Sequence, residues 1–240
     1  MLARWALALL LLALPAQAVV VVNGTGTGEE PPAGLTVVQK VSAEQTAPTP
    51  ATLTLNTVAN GSLLVVSAAQ GSTVSAGAAT ITTTAGTTSS WTEQCGFADG
   101  TGAKIFIWTA THSVASETVT VRVNSGDTDD YGIMGTLYEV SSGTPDTMAK
   151  VESISTPQVA IAAASGALLF GVVGDWQPGT RPSTLTTSPA LTLDKSANEG
   201  GNWGMDTFHT TSTVTAATHT IGDTAPTNQL GSICALEIIP

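Results

Sequence analysis

The residues able to do chemistry are sparse in this chain, and their spacing decides which reactions are open to them. Asp127, Asp129 and Asp130 form its one dense acidic run, Asp-Thr-Asp-Asp. Closely spaced carboxylates supply the hard oxygen ligands that calcium takes, which makes these three candidate ligands for a structural calcium. The run lacks the internal Gly and the later Glu of an EF-hand loop, so a solvated turn between strands is the competing and preferred reading. The histidines are His112, His209 and His219. Asp206 and His209 stand three apart, which on a strand sends them to opposite faces. His209 and His219 are expected on paired strands around a turn at Ala216-Ala217, about 10 Å apart along the strand and too far to share a metal. All three histidines therefore read as rim residues. No Gly-x-Ser-x-Gly nucleophile elbow occurs.

Glu139 and Glu237 are the pair that a glycoside hydrolase would need. They fall in matching contexts, Tyr138-Glu139-Val140 and Leu236-Glu237-Ile238. Strand alternation puts each Glu on the face opposite its apolar neighbours, which reads as two solvent-facing positions. Trp176 and Trp203 lie in turn-like surroundings with Asp175, Gln177 and Asn202 beside them. Exposed indoles stack on sugar rings, and such neighbours hydrogen-bond hydroxyls, so these five residues form a candidate ligand platform. The competing reading has each Trp plugging an end of the fold.

The elements that must position these side chains are strands. The chain has 240 residues, of which 42% are hydrophobic and 10% charged. That composition buries a core and is unlike a disordered chain. Seven Lys and Arg stand against eighteen Asp and Glu, a formal charge of -11. So few basic residues argue against nucleic-acid binding, and the acidity argues against anionic membranes. Residues 1–18 read as a signal peptide: Arg4, an apolar run from Leu7 to Leu14, and Ala16-Gln17-Ala18 as the cleavage site. The run is too short to span a bilayer, and cleavage would leave a secreted, surface or periplasmic protein beginning at Val19.

Residues 19–44 include a Gly/Thr/Pro run and read as a flexible arm. Beyond it, short Val/Ile/Thr/Leu segments alternate with turn residues. Strands are expected to start near Ala51, Leu63, Thr80, Trp91, Lys104, Thr118 and Tyr131, then near Gln158, Leu168, Leu185, Leu191, Asn202, Thr218 and Gly231. The two sets repeat one another at an offset of about 100 residues. Gly61-Ser62-Leu63-Leu64-Val65 matches Gly166-Ala167-Leu168-Leu169-Phe170, Trp91-Thr92 matches Leu191-Thr192, and Trp108 matches Phe208. The fold class is therefore all-β, with two tandem sandwich repeats, Ig-like or jelly-roll, at 45–147 and 148–240. A single merged jelly-roll sandwich is the alternative.

The order Gly-x-Leu-Leu-Val, Trp-Thr, Ile105-Phe106-Ile107-Trp108, Val-Thr-Val and Tyr138-Glu139-Val140-Ser141 resembles a loose group of two-repeat β-sandwich proteins from phage virions and bacterial secreted proteins. The resemblance spans roughly residues 50–240 and rests on core and turn positions. It implies a sandwich fold and a virion or cell-surface role, and it brings no catalytic residues.

Cys95 and Cys234 fall at different places in the repeat, opposite Lys195 and near Thr136. Two separate lobes would hold them beyond the ~7 Å Cα reach of a disulfide, so they are expected to be unpaired and buried. The function expected is a non-enzymatic structural or attachment protein, with a surface glycan or other surface proteins as partners. A carbohydrate-binding module and a secreted hydrolase are the alternatives.

Overall fold

The computed structural model describes residues 34–46, 49–71, 77–97, 104–126, 132–175, 183–199, 203–225, 227 and 231–240. Each half of the chain makes one five-stranded and one three-stranded antiparallel sheet. In the first half, β1 (Val37–Gln45), β8 (Gly132–Val140), β3 (Leu63–Gly71), β6 (Lys104–Thr111) and β5 (Thr92–Phe97) lie side by side in that order. Opposite them stand β2 (Ala51–Val58), β7 (Glu117–Gly126) and β4 (Gly77–Ala85). The second half repeats this order eight strands later. Its larger sheet runs β9 (Thr144–Ile154), β16 (Gly231–Ile239), β11 (Leu168–Asp175), β14 (Trp203–Thr210) and β13 (Leu191–Glu199). Its smaller sheet is β10 (Gln158–Ala163), β15 (Ala217–Ala225) and β12 (Thr184–Leu185).

The two larger sheets pack face to face, which makes a stack of four layers. Strand alternation divides the side chains of the inner layers between two cores. On β3, Leu64, Val66 and Ala68 join Phe106, Trp108 and Leu137 inside the first sandwich. Their neighbours Leu63, Val65 and Ala69 face the other way, into a seam shared with Leu168, Phe170 and Val172 of β11. Leu169, Val173, Phe208 and Ile233 fill the second sandwich. Both faces of these strands are covered, so β3, β6, β8, β11 and β14 are buried along nearly their whole length, polar residues included. Each half closes its own core, and a third core joins the halves into one compact unit covering Ala33–Pro240.

The cysteines correct the sequence expectation. Cys95 on β5 and Cys234 on β16 form a disulfide across the seam, with Cα atoms 6.0 Å apart. The expectation assumed lobes set apart from one another, whereas the larger sheets stack directly and bring these strands into contact. Two strands also escaped the sequence reading. β1 lies within the segment expected as an arm, and β9 runs across the expected boundary at 147/148. They are equivalent edge strands. Their lysines, glutamates and, in β9, Pro145 weaken the alternation that betrays a strand, as is usual for edges.

Candidate functional site

The polar chemistry of the described residues concentrates at one edge of the seam. β5 and β13 carry the same irregularity: register shifts between Glu93 and Cys95 in one, and between Leu193 and Lys195 in the other. The extra residues are Gln94 and Asp194. A bulge re-aims the side chain it adds. Gln94 donates to Thr109 Oγ1 of the neighbouring strand at 2.8 Å. Asp194 instead points into the seam, where its side chain is fully buried.

Three side chains from two sheets converge on Asp194. Lys40 of β1 donates its ammonium to Oδ1. The Tyr138 hydroxyl of β8 donates to Oδ2 at 2.7 Å. His209 Nδ1 of β14 meets the same oxygen at 2.7 Å. A carboxylate only accepts, so Nδ1 carries the proton, and Nε2 of a neutral imidazole is left as an acceptor. Beside this group, Ser42, Thr136 and Thr207 form a hydroxyl chain from one half to the other, at 2.9 and 2.6 Å. The aromatic rings pack into the same spot, with Phe170 edge-on to Tyr138 at 4.9 Å and stacked near His209 at 6.1 Å. Burial pushes the Tyr138 phenol well above the usual tyrosine range, and the Asp194 charge and hydrogen bond add to the rise.

The seam closes differently at its two edges. β1 lies against β13, and β5 lies against β9. Because β1 matches β9 and β5 matches β13, these contacts are equivalent. At one edge the closure is the disulfide, joined by Lys150, which donates to the Gly96 carbonyl at 2.9 Å and sits 4.6 Å from the Phe97 ring centre. At the other edge it is ionic: Lys40 with Asp194 and Lys195 with Glu44. Asp194→Ala should therefore destabilise the fold by about 3 kcal/mol, the low end for breaking a buried pair, because Lys40 can turn to water. Urea unfolding checks this, and a loss under about 1 kcal/mol would mean the group does not hold the seam.

A cleft of about 520 Å³ opens beside this ionic edge. Gly34–Val37 from the first half line it, together with Leu168 and His209–Thr213 from the second.

The residues picked out from sequence are dispersed. Trp203 is only 2% exposed and packs against Gly71 of the other half, where an added Cβ would lie 3.1 Å from the indole. Asp175 is 1% exposed at the end of β11. Neither offers an open face, which fits the plug reading of Trp203. Trp176, Gln177 and Asn202, and the calcium candidates Asp127, Asp129 and Asp130, lie outside the described residues. Among the described residues no group of three or more His, Cys, Asp and Glu side chains is arranged to hold a metal.

Glu139 and Glu237 correct another expectation, since both are 1% exposed. Alternation was right to turn them away from Tyr138 and Leu236, but that opposite face is the interior of each sandwich. Glu139 Oε1 accepts from the Ala59 amide at 2.8 Å and from the Ser62 hydroxyl at 2.7 Å, while Oε2 accepts from Gln39. Glu237 Oε1 accepts from the Ala164 amide at 2.5 Å. Each carboxylate anchors the turn leading into β3 or β11, where Gly61 and Gly166 take positive φ. Repetition of the residue thus reflects repetition of a turn.

The histidines also separate. His209 and His219 lie in different sheets, not on paired strands. His219 Nε2 contacts the Thr215 carbonyl at 2.9 Å, and His112 is buried with Nδ1 2.7 Å from the Thr87 carbonyl. His209 is no rim residue but part of the seam. The signal missed was the bulge, because the alternation of β13 breaks at Asp194 and a single polar residue in a short strand has no distinguishing pattern.

No family model matches the chain, and neither a curated protein nor a solved structure shows a match.

Proposed function

We propose that this chain is an exported, non-enzymatic structural or attachment protein working outside the cell or on a virion surface. The observation that carries this reading is the closure of the seam. A buried disulfide holds one edge, and the other is held by a buried carboxylate whose partners come from both halves. Side chains spent on one another in this way join layers. A disulfide of this kind persists in oxidising compartments, which agrees with the leader read at residues 1–18. The acidic composition favours a soluble, exposed surface over nucleic-acid partners.

Fractionation of producing cells and any released particles tests the reading. The protein should travel with the extracellular, surface or particle fraction and begin at Val19. Recovery from the cytosol with Met1 intact would contradict it.

A further inference from the structure

We propose that the cleft beside the ionic edge binds a neutral, hydroxyl-rich small molecule of saccharide class, one or two rings in size, read by Nε2 of His209. The volume of about 520 Å³ lies within the ~300–1,000 Å³ of small-molecule sites. Its position is distinctive, because the walls come from both halves and exist only when the seam is closed.

The lining chemistry selects the ligand class. Thr36, Thr210, Thr211, Ser212 and Thr213 offer hydroxyls that both donate and accept. Leu35, Val37 and Leu168 supply an apolar strip suited to the C–H face of a sugar ring. The imidazole of His209 is the sole ionisable side chain among these residues. Its Nδ1 is held by Asp194, so the ring cannot swivel to meet a ligand and its orientation is set in advance. Among the described residues Nε2 has no hydrogen-bond partner, and it is not one of the sealed polar atoms, in contrast to Nε2 of His112. A hydroxyl satisfies Nε2 in either protonation state, donating to the neutral ring nitrogen or accepting from the imidazolium N–H. Anions fit poorly against a chain whose net charge is -11. Trp203 is not among the residues that line this cleft, and the site does not depend on the structural role proposed above.

The test uses the full chain, with imidazole resonances followed by NMR at mildly alkaline pH. Glucose, galactose, N-acetylglucosamine, maltose and cellobiose are titrated singly, with inorganic phosphate and acetate as contrasts. At least one sugar should shift the His209 resonances and leave those of His219 in place. His209→Ala and Ser212→Ala should each weaken that sugar by about tenfold, equivalent to one lost hydrogen bond. Ser212→Ala keeps the Asp194 cluster intact, so its effect cannot come from loss of the seam. The proposal is overturned if no sugar moves His209, if Ser212→Ala binds as the parent does, or if only phosphate or acetate produces the shift.

Discussion

Removing the disulfide by Cys95→Ala with Cys234→Ala is expected to lower stability by roughly 5 kcal/mol. The cross-link spans 139 residues. On a chain-entropy account, freeing so long a loop in the unfolded state costs on the order of 5 kcal/mol. That is a large share of the ~5–15 kcal/mol a domain usually has. Cys95 and Cys234 sit in the seam core at 2% and 0% exposure, so the alanines also leave small voids. Reduction of the parent protein avoids those voids and should reproduce most of the loss in a urea titration. If neither treatment moved stability by more than about 1 kcal/mol, the seam would not depend on its covalent edge.

Truncating the aromatic at the centre of either sandwich is the second large effect. Trp108 and Phe208 are 4% and 0% exposed, on the equivalent strands β6 and β14. Trp108 stacks on Phe106 with ring centres 4.9 Å apart. Phe208 lies over Gly171 of β11 so closely that a Cβ there would come within 2.2 Å of its ring. Trp108→Ala and Phe208→Ala should each cost roughly 3–5 kcal/mol. Similar losses from the two would follow from their matched positions, read by denaturant unfolding. A loss below about 1 kcal/mol from either would remove that ring from its core.

These two residues also mark what was legible in the sequence. Period-two alternation and turn residues locate fourteen of the sixteen strands among the described residues, because interior strands of a sandwich carry strong apolar patterns. The repeat offset paired Trp108 with Phe208 and Cys95 with Lys195, and both pairs hold equivalent strand positions. The stacking of the two halves was harder to see. Its signal lies in Leu63–Val66, Ile105–Trp108 and Leu168–Val173, whose apolar runs exceed what a one-sided sheet requires. Those runs were read as ordinary sandwich strands, so Cys95 and Cys234 were held apart.

The polar cluster was the least legible part. Asp194, His209, Tyr138 and Lys40 come from four strands of two sheets, and no spacing in the chain links them. Asp194 reaches them only because a bulge turns it inward. Glu139 and Glu237 misled for a related reason. A carboxylate on the alternate face of a strand is usually wet, and here that face meets a second sheet whose turn amides require an acceptor.

The two halves are joined across a closed seam into one body. Peptide mapping of the purified folded protein, alkylated without prior reduction, tests this most directly. The expected result is one linked peptide pair carrying Cys95 and Cys234, with neither thiol alkylated. Recovery of both cysteines as separate alkylated peptides from folded protein would contradict it.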